Sequence, residues 1–241
     1  MNILSPKLLL ALLIVSIAGF TNSAKSEIIV IDNFNTEMEV PGLLVNYYVG
    51  NAQQGSQNIG NIKGSTVTRD VDLTRITNTD PTAFFSSKSS VVNNIFAWSN
   101  DPGTASTTTI NHQFSSAIDV LSPHGSQHGS LVLDVTNVDI NAVATITLVD
   151  AGNQSATFSQ SIANPGAQEV HFSYDDFLAV NSSLDLSQIK SVSTFLSQET
   201  GATAVDFEMD ILAFNTPEPT SVLLFSIAGI GLTFRRRRKN A

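Results

Sequence analysis

Ala144-Thr145-Ile146-Thr147-Leu148-Val149, Asp150-Ala151-Gly152-Asn153 and Ser155-Ala156-Thr157-Phe158 run almost consecutively through the chain. The first block alternates apolar and polar residues with a period of two, which places one face of a strand in a core and the other in water. In the second block, Asp and Asn bond their own backbone and Gly accepts a positive φ, so the chain reverses there. The third block resumes the alternation. Together they read as an antiparallel β-hairpin.

The same period continues on both sides. Expected strands cover 28–31, 43–49, 66–76, 83–87, 92–98, 107–114, 131–138, 143–149, 156–162, 169–173, 192–196 and 204–214, all rich in β-branched and aromatic residues. Asn100-Asp101-Pro102-Gly103 and Asn164-Pro165-Gly166 add further turn signals. No fixed repeat and no internal linker composition divides the segment, so one all-β domain is expected over 27–216. Its length of about 190 residues suffices for a core without staples.

The chain has no cysteine, which excludes disulfides, thiolate metal sites and a cysteine nucleophile. Twenty of the 21 acidic residues lie in 27–216, against only Lys63, Arg69, Arg75, Lys88 and Lys190. So acidic a surface repels phosphate backbones and anionic lipid, which argues against nucleic acid as a partner. It suits solubility, cation binding or neutral polymers.

Both ends differ from the middle. Lys7 and the free amine precede an apolar run over 8–20, followed by small and polar residues through Ala24 and Ser26. That order matches the three regions of a signal peptide over 1–26, with cleavage expected after Ser26 and Ala24 as the competing point. At the other end, Pro217-Glu218-Pro219 precedes an apolar stretch over 221–234 and then Arg235-Arg236-Arg237-Arg238-Lys239. Fourteen helical residues span only about 21 Å, short of a hydrocarbon layer of about 30 Å. A basic block behind the stretch supports a short transmembrane helix oriented by its charge.

The order Pro217-Glu218-Pro219, short Gly-containing apolar helix and Arg cluster resembles the PEP-CTERM sorting signal of exported Gram-negative proteins. The resemblance covers about a tenth of the chain, over 217–241. It implies recognition by an exosortase, removal of the tail near Pro217-Glu218-Pro219, and delivery from the inner membrane to the cell surface or extracellular matrix. Signal peptidase would act at the other end. A permanent anchor, the alternative, keeps the tail.

A second resemblance concerns the domain. Val30-Ile31-Asp32-Asn33-Phe34 opens it, while Phe172-Ser173-Tyr174-Asp175-Asp176-Phe177, Leu184-Asp185-Leu186-Ser187-Gln188-Ile189 and Val205-Asp206-Phe207-Glu208-Met209-Asp210-Ile211 close it. This succession is similar to galactose-binding-like jelly-roll domains. It implies a jelly-roll-type β-sandwich whose last strand pairs with its first and whose end is plugged by Leu186 and Ile189. Such domains often hold a structural Ca²⁺, for which Asp32, Asp206 and Asp210 are the candidate ligands here; solvated acids on an outer face are the plainer reading.

No residue pattern announces catalysis. His124 and His128 have metal-ligand spacing only on a helix, and the flanking Pro and Gly residues indicate a loop. Ser126 lacks a G-x-S-x-G elbow. Asp175 and Asp176, just before Phe177 and Leu178, read as caps of a helical turn. Tyr47, Tyr48 and Trp98 are candidate platforms for sugar rings, although core packing accounts for them more economically. The expected function is a non-enzymatic surface or matrix protein that binds carbohydrate, associates with exopolysaccharide or simply populates the extracellular matrix. A secreted polysaccharide hydrolase and a self-associating adhesin are the alternatives.

Overall fold

The computed structural model describes residues 27–38, 43–46, 50–78, 86–121, 128–163, 166–199 and 204–216. The expected signal peptide and sorting tail, together with Tyr47, Tyr48, His124 and Ser126, lie outside the described residues. Among the described residues no helix is long and apolar enough to cross a membrane.

Thirteen strands are described: β1 (Glu27–Asp32), β2 (Leu43–Asn46), β3 (Gly50–Ile62), β4 (Ser65–Asn78), β5 (Ser86–Val92), β6 (Ile95–Asn100), β7 (Thr104–Ile118), β8 (Ser130–Val138), β9 (Ala142–Asp150), β10 (Ser155–Ile162), β11 (Gln168–Ser173), β12 (Ile189–Gln198) and β13 (Asp206–Thr216). One short helix, α1 (Tyr174–Val180), joins them. The strands form two sheets, ordered β11-β8-β13-β6-β5-β2 with β1 also on β13, and β10-β9-β12-β7-β4-β3. The described pairings are antiparallel throughout. The domain is thus an all-β sandwich of the jelly-roll type, and its core is assembled from residues between Ile29 and Phe214.

The hairpin read from the sequence is β9–β10. Ala144, Ile146 and Leu148 are fully buried while Thr145, Thr147 and Val149 point outward. Asp150 holds the turn: its Oδ1 accepts from the Gln154 amide at 2.8 Å, and Asn153 takes a φ of 61°. Its Oδ2 accepts from the Asp185 amide at 2.9 Å, tying this turn to the segment before β12.

Leu184, Leu186 and Ile189 are buried at that end of the sandwich, and β1 pairs with β13, as expected. The helical turn also forms, but its N-cap is Ser173, whose Oγ accepts from the Asp175 amide at 3.2 Å. Asp175 and Asp176 occupy the first turn instead, where carboxylates suit the positive end of the helix dipole.

One expected strand is divided, and one observed strand falls between the expected ones. The strand expected over 92–98 is cut by Asn93 and Asn94, with φ of 55° and 64°, so that Val92 pairs with Ile95 across a two-residue reversal. That φ pair is the mirror-image turn that matches strand twist. Strand β3, with the sequence Gly-Asn-Ala-Gln-Gln-Gly-Ser-Gln-Asn-Ile-Gly-Asn-Ile, was not expected at all. It forms the end of its sheet as an irregular polar strand with two register shifts, the usual design of a protected edge.

Candidate functional site

The outer face of the six-stranded sheet is a registered array of short polar side chains. Across β4, β7, β12, β9 and β10, one row reads Asp72, Thr109, Phe195, Thr145, Ser159. The adjacent row reads Asp70, Asn111, Ser193, Thr147, Thr157. Alternation places all ten on one side, because their strand neighbours Val71, Ile110, Thr194, Leu196 and Ile146 fill the core.

The hydroxyls within these rows are already oriented. Thr145 Oγ1 and Ser159 Oγ lie 2.8 Å apart, as do Thr147 Oγ1 and Thr157 Oγ1, and Ser193 Oγ donates to Asn111 Oδ1 at 2.7 Å. A hydroxyl has one donor and two acceptor sites, so each retains capacity toward a ligand.

Phe195 is the single aromatic in these rows. Of the described aromatic residues, only Phe158 and Phe195 escape full burial. Phe158 sits opposite Ile146 on the inner face and packs on Phe172 and Phe177, with ring centroids 6.5 and 6.3 Å away. Phe195 is half-buried on the outer face between Thr109 and Thr145. At the acidic end of the face, burial and the neighbouring Asp72 charge push the Asp70 carboxyl above its ordinary value, with His112 opposing them.

A second feature lies where β1 meets the sheet edge. Arg69 on β4 donates Nη1 to Asp32 Oδ2 at 2.9 Å, and His112 Nε2 on β7 is 3.0 Å from the same oxygen. Asp32 Oδ1 accepts from the Phe34 amide at 2.7 Å. Arg69 Nη2 reaches the Thr36 carbonyl at 2.6 Å and Gln57 Oε1 at 3.2 Å. Burial would push the Asp32 carboxyl up, but the hydrogen bond and charge of His112, with Arg69 and the Phe34 amide, outweigh it and hold the carboxyl below its ordinary range. Beside this network is a partly open cleft of about 230 Å³, with Asn33, Asn35 and Asn61 among its lining residues. The carboxylate it borders already has Arg69, His112 and the Phe34 amide as partners.

The three candidate Ca²⁺ ligands are not gathered. Asp32 serves the buried ion pair, while Asp206 lies toward Asp139 and Glu208, and Asp210 toward Asp134. Burial raises the Asp206 and Asp134 carboxyls, with these acidic neighbours adding to the shift. Among the described residues no group of three or more His, Asp or Glu side chains is placed to hold a metal ion.

Trp98 offers no ring to a ligand. It is fully buried, its Nε1 donates to Ser106 Oγ at 2.8 Å, and it packs against Phe207. Core packing, not a sugar platform, is its role. His128 is exposed, with Nδ1 3.3 Å from Asp175 Oδ2. Phe195 was missed because its strand, Val-Ser-Thr-Phe-Leu, is read as much from its apolar residues as from its hydroxyls. The signal that finds it is register: Val192 and Leu196 are inward, which turns Ser193 and Phe195 out.

Residues 215–238 match the PEP-CTERM protein-sorting motif. No curated protein sequence matches the chain. Among solved structures, the chain is similar to an exo-β-agarase at 13% identity and TM-score 0.40, over 78% of this chain and 25% of that one. It is similar to a family 30 carbohydrate-binding module at 12% identity and TM-score 0.37, over 82% and 92%. A family 11 carbohydrate-binding module from Clostridium thermocellum, in complex with a mixed-linked tetrasaccharide, gives 10% identity and TM-score 0.35, over 73% and 95%. The chain also matches PfGH50B and the agarase AgWH50C, spanning only 21% and 25% of their own length. Likenesses this distant assign no ligand to this chain.

Proposed function

We propose that this is an exported protein, sorted through an exosortase to the cell surface or extracellular matrix, whose β-sandwich associates with polysaccharide without cleaving it. The observation that carries this reading is the sorting-motif match over 215–238, which begins on the last two residues of β13. The folded domain ends where the address begins. Its acidic balance, twenty acids to five bases, keeps it soluble outside the cell and away from anionic polymers.

Mass spectrometry of the protein recovered from its producing cells tests the reading. Loss of the segment after the Pro217-Glu218-Pro219 region, and retention of that segment when the exosortase is deleted, is the expected result. A surface form that keeps Arg235 to Arg238 in exosortase-competent cells overturns it.

A hydrolase reading has one observation in its favour, the adjacent carboxylates Asp70 and Asp72 on the outer face of β4. Residues two apart on a strand sit about 6.6 Å apart, within the range of glycosidase pairs. Glycosidase carboxyls flank the scissile bond from two sides, whereas these two stand side by side on one strand. Release of reducing ends by the wild type and not by Asp70→Asn would establish the hydrolase.

A further inference from the structure

We infer that the outer face of the six-stranded sheet, centred on Phe195, is a binding surface for an uncharged, hydroxyl-rich polysaccharide chain. The inference rests on the polysaccharide-associated reading above and adds the site and the ligand class.

Three observations converge on it. Phe195 is an aromatic ring left only partly buried in a domain that fully buries nearly all its other described rings. A sugar ring has an apolar face of C–H groups and a polar rim, so a flat aromatic framed by hydroxyls complements both parts at once. Thr109 and Thr145 flank the ring in register, and Thr147 and Asn111 lie on the next row. Thr145, Thr147 and Asn111 are held by hydrogen bonds with Ser159, Thr157 and Ser193, which reduces the ordering that binding requires.

Charge selects the ligand class. Asp70 and Asp72 stand at one end of the rows, and burial together with their mutual repulsion already raises the Asp70 carboxyl. A uronate or sulfated chain would bring a further negative charge against them, and a neutral chain would not. Size suits a polymer over a monosaccharide: five spacings between six strands make a surface about 24 Å wide.

Affinity electrophoresis of residues 27–216, which form one compact unit, tests this. The gels contain hydroxyethyl cellulose, agarose or dextran as neutral polymers and alginate as the anionic one. Retardation by at least one neutral polymer and none by alginate is expected, with Phe195→Ala weakening the interaction at least tenfold and Phe195→Trp preserving it. Thr147→Arg, which plants a long side chain over the face and leaves the core alone, weakens it likewise and covers the case in which Phe195→Ala fails to fold. Equal retardation of the wild type and both face variants overturns the site but leaves polysaccharide association standing. Retardation by alginate alone overturns the ligand class. Absence of retardation in every gel overturns the inference, and the polysaccharide half of the function falls with it only if the processed protein also fails to co-sediment with the producer's own matrix.

Discussion

Glu27 and Thr216 face one another across the β1–β13 ladder, and the Thr216 hydroxyl donates to the Glu27 carbonyl oxygen at 3.1 Å. Glu27 is the first residue beyond the expected signal peptide, and Thr216 is the last before Pro217-Glu218-Pro219. Proline has no N–H to donate to a ladder, which suits a position just past a strand. Both boundaries of the folded domain therefore meet at one end of one strand pair.

That closure predicts an asymmetric response to truncation. Deleting 217–241 removes none of the described core residues, and the melting temperature should shift by less than about 2 °C, under about 1 kcal/mol for a domain of this size. Deleting Glu27–Asp32 removes Ile29, Ile31 and the Asp32 carboxylate and should abolish cooperative unfolding. Calorimetry of the two truncations checks both outcomes; equal melting curves would refute the ladder as the closing element.

The Asp32–Arg69 pair is buried, with side-chain exposures of 2% and 1%. Removing one partner strands a charge in the interior, which costs about 3–5 kcal/mol. Arg69→Ala should lose at least that much, since the Thr36 carbonyl and Gln57 lose their donor as well. The double variant Asp32→Asn with Arg69→Met should be more stable than Arg69→Ala alone. Urea midpoints of the set decide it.

Four perturbed carboxyls make stability depend on pH in opposite directions below and above 3.8. The Asp32 carboxyl titrates below 3.8, so its contribution is complete above that value and is lost as pH falls through the still lower folded value. Asp70, Asp134 and Asp206 titrate above 3.8 for the opposite reason, burial reinforced by neighbouring acids. In the window from 3.8 up to their raised values the folded state holds more protons, so stability falls as pH rises there. Asp70→Asn should flatten that decline, and Asp32→Asn should remove acid sensitivity on the other side, both visible in melting temperature against pH.

Trp98 is the only tryptophan and is fully buried. Its emission should be blue-shifted and insensitive to iodide, and glycans bound on the outer sheet face should leave it unchanged. Trp98→Phe removes the donor to Ser106, while Ser106 still donates to Asn100 at 2.6 Å. The expected loss is about 1 kcal/mol. Red emission quenched by iodide would return Trp98 to the surface.

Sequence alternation made β9 and β10 legible because Ala144, Ile146 and Leu148 are apolar wherever the sheet needs an inward side chain. The same rule hid β3. Its inward residues Gln54 and Gln57 are polar because they point at each other and Gln57 accepts from Arg69, a partner distant in sequence. The Lys63-Gly64 reversal after β3, with φ of 48° and 80°, was the local sign that a strand preceded it. In the candidate site, residue type misled where register decides: Trp98 faces in and Phe195 faces out.

Gly129 lies just before β8 in a space that admits no side chain. A Cβ there would sit 2.6 Å from Tyr174 Cε2 and 2.9 Å from the Asn215 carbonyl oxygen. Neither neighbour moves easily. Tyr174 is fully buried, packs on Phe214 at 6.2 Å and donates its hydroxyl to the Val120 carbonyl at 3.3 Å, while Asn215 is backbone within β13. Gly129→Ala should therefore cost about 1–3 kcal/mol through overpacking. At Gly64 a Cβ meets nothing within 4 Å, but a φ of 80° penalises any side chain, so Gly64→Ala should cost about 1 kcal/mol through the backbone alone. The two mechanisms separate in a Tyr174→Leu background, where the shorter side chain vacates the Cε2 position. There the cost of Gly129→Ala should shrink while that of Gly64→Ala stays the same, and chemical denaturation of the four combinations reads the difference.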